Sequence, residues 1–314
     1  MYIYLHIPKA AGTALRSVLK AAYGPDAIFW GYEAKSVADL AQEILSLSAG
    51  EIDALALIAS HHQFGLHTLL ASEHRYVTML RDPIDRFVSD FYFIQGDDGR
   101  PRHRVLEGRE GISITDYIQS GLSTIDNGLV RLISGTCDGR PHGLVTADDL
   151  EIAKQNLRHH FAAVGFSDSF AESVILFRRK LGWPRAPFYR RENVTKHRLA
   201  VADIPSADLN IINRYFELDR ELYDYARGLY ESDIHSLGTD FSSEVHEYNV
   251  AIRDVHRILD DERSQLLAQR ASSEHVLAEL RQVLETRSHR AASRLGQALS
   301  TVKGLWKRND AGEP

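Results

Sequence analysis

Short apolar runs along this chain alternate with longer stretches whose apolar residues recur every three or four positions. The runs Tyr2–Ile7, Leu55–Ser60 and Tyr76–Leu80 read as strands, and another is expected near Ala162–Phe166. The helical period falls on Ser36–Leu47, Ile84–Phe93, Leu150–His160 and Ser169–Leu181. Buried strands separated by amphipathic helices predict an α/β fold, a mainly parallel sheet covered on both faces. Such sheets bind ligands beyond the carboxyl ends of their strands. Lys9, His61 and Arg81 fall at three of those ends.

Beyond the strands the pattern changes twice. The segment Gln95–Gly111 is polar, Gly-rich and basic in its middle, and reads as a long surface loop. Ser206–Tyr230 is a helical stretch striped by Ile211, Tyr215, Leu218, Leu222 and Tyr225, expected to close a globular domain of residues 1–240. Val245, Tyr248, Ile252, Val255, Leu259, Leu266, Val276, Leu280 and Val283 then follow three- and four-residue steps, broken at Glu262, Gln269 and Ser273. This imperfect heptad predicts a helical, coiled-coil-like extension over 241–308, or a loose bent helix, ahead of a disordered tail at 309–314. From Arg287 the helix turns basic, with Leu295, Leu299, Val302 and Trp306 on an apolar face. Oligomerisation, a solvated tail and a membrane-surface helix are the three readings of that end.

Composition narrows this picture only modestly. The 314 residues are 44% hydrophobic and 25% charged, an ordinary globular balance. A formal net charge of −6 argues against bulk nucleic-acid binding. The single cysteine, Cys137, excludes an intramolecular disulfide, fits a reducing compartment, and is expected to be a small buried hydrophobe. No run approaches the roughly 20 apolar residues of a membrane span, and no signal-peptide pattern precedes the first strand. A cytoplasmic protein, membrane-associated if the basic helix binds lipid, is therefore expected. Clustered metal-ligand spacing is absent from the sequence, so no metal is expected.

Two motifs carry chemistry. In HIPKAAGTAL a strand runs into small residues and then a helix, so that helix N–H groups and dipole can face an anion. Lys9 adds a movable charge and Thr13 a hydroxyl; a ligand-free tight turn is the structural alternative. In LRDPIDRFVS, Asp82 is a natural N-cap and Pro83 suits the first helical turn. Arg81 then sits at the strand's end and Ser89 two turns along the helix, a suitable pair for a terminal phosphate. Pairing of Arg81 with Asp85 or Asp82 as a structural salt bridge is the alternative.

Together, HIPKAAGTAL and RDPIDRFVS resemble the 5'-phosphosulfate loop and the Arg-Asp-Pro-x-x-Arg-x-x-Ser motif of sulfotransferases that use 3'-phosphoadenosine 5'-phosphosulfate (PAPS). The continuation FYFIQGDDGRPRHRV is similar to the heparan and dermatan uronosyl 2-O-sulfotransferases, in the carbohydrate branch with bacterial relatives. The resemblance covers roughly residues 1 to 230 and implies a three-layer, P-loop-like fold. It implies that Lys9, Ala11, Gly12, Thr13 and Ala14 wrap the 5'-phosphosulfate and that Arg81 and Ser89 hold the 3'-phosphate. Ala10 and Ala14 replace the family's usual hydroxyl residues, so two hydrogen bonds to the donor are expected to be missing. It also places a histidine after a small residue at the second strand's end, which here is Ser60-His61.

Removal of the acceptor's proton near neutral pH suits a histidine. His61 is the expected base, with His62 and then His67 as alternates. In YRRENVTKHR, Arg191, Asn193 and Lys196 are candidate donor contacts, against a solvated basic loop. Arg100, Arg102, His103 and Arg104 are candidates to meet an acidic glycan. The expected reaction is PAPS-dependent O-sulfation of a carbohydrate without metal, releasing adenosine 3',5'-bisphosphate (PAP). The rivals are a phosphate-loop kinase or NTPase, disfavoured because G-x-x-x-x-G-K-[S/T] is absent, and a degenerate sulfotransferase-fold scaffold.

Overall fold

The computed structural model describes residues 1–70, 73–95, 111–121, 125–136, 140–189 and 200–309, with side chains described through 270 and at four later positions. Among them, five strands form one sheet: β1 (Tyr2–Leu5), β2 (Ile28–Trp30), β3 (Leu57–Ser60), β4 (Arg75–Leu80) and β5 (Phe161–Phe166). Their order is β2-β3-β1-β4-β5, and every neighbouring pair is parallel. The helices are α1 (Gly12–Tyr23), α2 (Val37–Leu45), α3 (Ala49–Ala54), α4 (Pro83–Gln95), α5 (Ile114–Ile118) and α6 (Gly128–Ser134). They continue with α7 (Ala147–His160), α8 (Phe170–Leu181), α9 (Ser206–Tyr215), α10 (Glu217–Ser236) and α11 (Thr239–Asn309).

The period-2 alternation of the strands feeds two cores. Ile3, Leu5, Ile58 and Leu80 pack with Leu40 and Ile44 of α2, Leu129 of α6, Leu157 of α7 and Leu222 of α10. Tyr4, Ala59, Val77 and Met79 pack with Leu15, Val18 and Leu19 of α1 and Val174 and Phe177 of α8. Each fully buried aliphatic side chain contributes about 1.5–3 kcal/mol, so both faces of the sheet are strongly held. This is the three-layer α/β arrangement that the sequence predicts. β2 is absent from the sequence reading, because three residues are too few to show a period.

The register decides what meets at the carboxyl edge. Leu5 of β1 lies beside Ser60 of β3 on one side and Thr78 of β4 on the other. One residue further, His6 donates its N–H to the Ser60 carbonyl at 2.8 Å, so His6 and His61 emerge side by side.

The helical stretch expected over Ser206–Tyr230 divides at Phe216, whose φ of −122° and ψ of 17° interrupt it. Phe216 is fully buried against Phe87 of α4, ring centroids 5.4 Å apart, and this packing fixes the break. Two reciprocal caps surround it. The Asn127 side-chain oxygen accepts N–H bonds from Leu218 and Asp219 at the start of α10. The Asp219 carboxylate in turn accepts from Leu129 and Val130 at the start of α6, at 3.0 and 2.8 Å. Arg86, the second arginine of RDPIDR, is buried 3.9 Å from Asp219.

The chain forms two compact units, Met1–Ile252 and Arg253–Pro314. The first takes in the beginning of α11, where Phe241 and Ile252 are buried and the Tyr248 hydroxyl donates to the Pro187 carbonyl. The second is helical through Asn309. No described helix is long and apolar enough to cross a membrane.

Candidate active site

Beyond β1 the backbone turns sharply before α1. Lys9 and Ala11 both adopt left-handed conformations, with φ of 64° and 58°. Such a conformation costs a residue bearing a Cβ about 1–2 kcal/mol. Two anchors hold it: Arg81 Nη1 donates to the Lys9 carbonyl at 3.0 Å, and Ala10 is wholly buried in the core. Ala11 is the N-cap of α1 and offers no side-chain acceptor. By contrast α2, α3, α5 and α7 are capped by Ser36, Ser48, Ser113 and Thr146. The first turn of α1 therefore directs its N–H groups and dipole outward from an uncapped end, a geometry suited to an anion.

The burial of Ala10 corrects one expectation. Its side chain faces the core, so a hydroxyl at residue 10 would be turned away from the loop mouth. Ala14 is half-buried against the α1-side core. Gly12 is required for a different reason: an added Cβ would lie 1.7 Å from His6 Nε2. Thr13 is exposed beside it. The Lys9 ammonium rests 3.8 Å from the centroid of the Phe93 ring, which α4 presents toward the loop.

His61 stands at the carboxyl end of β3, one edge open to solvent. Its Nδ1 lies 2.9 Å from the His6 carbonyl oxygen. A carbonyl only accepts, so Nδ1 carries the proton and Nε2 is left with its lone pair. The ring is walled by His6 (centroids 4.2 Å apart) and Tyr32 (4.7 Å). Burial among these rings holds its pKa below the ordinary histidine value, and the nearby Arg16 charge lowers it further. His61 is thus a neutral, oriented base at pH 7.

His6 supports this base twice over. Its carbonyl fixes the His61 tautomer, and its ring is clamped by a 2.9 Å hydrogen bond to the Tyr32 hydroxyl and by stacking on Tyr4. Burial, then the neighbouring His61 and Arg16, lower its own pKa to about 3, so it stays uncharged.

The alternates separate clearly. His67 bonds the hydroxyl of Tyr76, whose register partners are Ile3 and Phe161, early in β4. Tyr76 and Arg81 are five residues apart along an extended chain, roughly 16 Å, so His67 belongs to the other end of the sheet. Among the described residues the His62 ring makes no hydrogen bond that would orient it; only its backbone N–H is held, by Ser60.

Arg81 realises the salt-bridge alternative and more. Its Nε donates to Asp85 at 2.6 Å while Nη1 holds the Lys9 carbonyl, so the two sequence motifs are tied together. Asp82 caps α4 as predicted, accepting the Asp85 N–H at 2.8 Å. Ser89 is buried one turn beyond Asp85 on the same helix face. Lys9, Gly12, His61 and Arg81 thus converge on one edge. Arg191, Asn193, Lys196, Arg100, Arg102, His103, Arg104 and Cys137 lie outside the described residues.

The sequence reading missed His6, Arg16, Trp30, Tyr32 and Phe93. A signal existed for His6: strand alternation continued past Leu5 puts it with Tyr4 on the α1 face. For the others no local pattern points to the site.

Residues 2–117 match the profile of the Sulfotransferase family. The chain is also similar to heparan-sulfate 6-O-sulfotransferase 3 of Mus musculus, 23% identical over 184 residues, covering 51% of this chain and 38% of the relative. Heparan-sulfate 6-O-sulfotransferase 1-B of Danio rerio is 24% identical over 180 residues, covering 50% and 44%. Heparan-sulfate 6-O-sulfotransferase 1 of Homo sapiens is 23% identical over 180 residues, covering 50% and 43%. These matches span about two fifths of the curated relatives' own length. The relatives are of 6-O type, whereas the motif continuation resembled the uronosyl 2-O type; the heparan-sulfate sulfotransferase class is common to both. β1 with its loop, His61 and Arg81 all fall within residues 2–117, the segment that matches the sulfotransferase family.

Proposed function

We propose that this protein transfers a sulfuryl group from PAPS to a hydroxyl of a carbohydrate acceptor. The observation that carries the reading is the pairing of His61 with the loop. A neutral histidine, its Nδ1–H held by the His6 carbonyl, presents Nε2 at the edge where an uncapped helix start and Lys9 suit an anionic donor.

In the proposed reaction the acceptor hydroxyl gives its proton to His61 Nε2 as its oxygen bonds to sulfur. The bond between sulfur and the 5'-phosphate oxygen breaks, and PAP leaves with the added negative charge. Lys9 and the first N–H groups of α1 stabilise that charge, which is electrostatic stabilisation directed at the transition state. For this Lys9 exchanges the face of Phe93 for the departing oxygen. The open edge of His61 then releases its proton to water. Arg81, already bonded to Asp85 and to the loop, and Ser89 are proposed to hold the 3'-phosphate.

The test is transfer of labelled sulfate from PAPS to a panel of acidic and neutral glycans, with linkage analysis of any product. Transfer that survives without magnesium and is lost in His61→Ala supports the reading. Preference for ATP with magnesium would point to the kinase or NTPase alternative. Failure of PAP to raise the melting temperature would point to a scaffold without donor binding.

A further inference from the structure

Helix α1 leads away from the loop along one face. Gly12, Arg16 and Lys20 are spaced four residues apart and so line that face. The Arg16 guanidinium carbon lies 4.9 Å from the ring centroids of both Trp30 and Tyr32. The Lys20 ammonium lies 5.4 Å from Trp30. The two rings stack on each other, 5.9 Å apart and 24° from parallel, and Tyr32 continues to the ring of His61. Trp30, Tyr32 and Arg16 are half-buried and Lys20 is exposed. Among the described residues neither cation forms an ion pair with a carboxylate.

Strand order decides what this ledge can serve. β1 with its loop lies centrally; β4, carrying Arg81, flanks it on one side, and β3 and β2, carrying His61 and the ledge, on the other. A donor whose 3'-phosphate is held at Arg81 places its nucleoside on the β4 side. The β3–β2 side, next to the base, is then left for the acceptor.

We propose that Trp30, Tyr32, Arg16 and Lys20 form the acceptor subsite, and that it takes an acidic saccharide unit bearing a carboxylate or sulfate. The apolar face of the sugar lies on the two rings, as amphipathic ligands lie on aromatic faces. Its anion meets the N–H groups of Arg16, which among the described residues are in no ion pair with a carboxylate. Two cations without a counter-anion among the described residues favour an anionic ligand over a neutral one. This inference rests on the sulfotransferase reading for the role of the site, but its binding chemistry is independent of that reading.

The experiment measures binding to the full chain, without donor, of a uronate-containing hexasaccharide and its carboxyl-reduced counterpart. Wild type is expected to prefer the acidic form. Arg16→Gln with Lys20→Gln should weaken the acidic hexasaccharide about tenfold or more and leave the reduced form unchanged, the effect of losing charge-assisted hydrogen bonds. Trp30→Leu should weaken both. PAP affinity, measured in parallel, should not respond to the charge variants. Equal losses for both saccharides, no loss for either, or tighter binding of an acidic tyrosine peptide would overturn the proposal. If PAP fails to bind wild type while the saccharide pattern holds, the sulfotransfer reading falls and the ledge stands as a glycan site.

Discussion

At the residue scale the site depends on a few unusual positions. Gly12 exists because the His6 ring occupies the space of its Cβ. Gly12→Ala should therefore destabilise the fold by about 1–3 kcal/mol, the usual cost of overpacking, and urea denaturation measures this directly. Ala11→Gly should act in the opposite direction, adding about 1 kcal/mol by relieving a left-handed residue. Faster sulfotransfer is not expected from that gain, because a looser loop presents its N–H groups less rigidly. His61→Ala should lower turnover by a factor of about 10²–10⁴, the range for a lost general base, with PAP affinity nearly unchanged. Because burial holds the His61 pKa below 6.5, the acid limb of the rate profile should have its midpoint below that value. A midpoint above 6.5 in a kcat/KM profile would remove His61 from the role of base.

Elements carry the site through their ends. The carboxyl ends of β1, β3 and β4 supply the loop, His61 and Arg81, and parallel register brings them together. The reciprocal caps of α6 and α10 brace α4 from behind through Arg86 and Asp219. Asp219→Ala should cost about 3–5 kcal/mol, since it leaves the Arg86 charge buried without its carboxylate. A loss much below 1 kcal/mol in chemical denaturation would show that the brace is dispensable. The sequence marked Asp82, Pro83 and the stripe of α4 correctly because these are local signals. It could not mark the division at Phe216, which arises from a ring packed against α4 and from caps some 90 residues away in the chain. The extension expected over 241–308 is helical as far as Asn309. Self-association through it is a proposal, and light scattering showing only a 35.4 kDa species would overturn it.

At the scale of the whole molecule, two buried titrating groups shape acid stability with opposite signs. His6 has its pKa lowered from 6.5 to about 3, so between those values the unfolded chain binds more protons than the folded one. Its contribution therefore falls as pH drops through 6.5, at up to about 1.4 kcal/mol per unit. Burial raises the Asp219 pKa from 3.8 to about 6, offset in part by Arg86 and two N–H bonds. Between those values the folded chain binds the extra proton, and this group gains stability as pH falls. The two slopes oppose each other between about pH 4 and 6; just above, His6 acts together with His61 and His67, whose pKa values burial also lowers. Replacing His6 with Gln should thus make the loss of stability on acidification through pH 6 to 4 shallower than in wild type, by urea titration at fixed salt. A slope identical to wild type would mean that His6 is protonated in the folded state.

Sequence alone determined the elements and the chemistry that is local to them. Apolar runs set four of the five strands, Pro83 and Asp82 set the start of α4, and HIPKAAGTAL with RDPIDRFVS marked the resemblance to sulfotransferases that the match over residues 2–117 repeats. These signals work because a strand's period, a cap and a phosphate loop are each written within a few neighbouring residues. Only the tertiary structure decided the rest. Parallel register put the His6 carbonyl against His61 Nδ1, which chooses the tautomer and separates His61 from His62 and His67. Core packing turned Ala10 inward, away from the loop mouth. The approach of β2 to α1 assembled Trp30, Tyr32 and Arg16 beside His61. Hydrogen bonds and ring contacts between segments 55 to 92 residues apart leave no mark on local pattern, since each partner's neighbours in sequence are unaffected by the pairing.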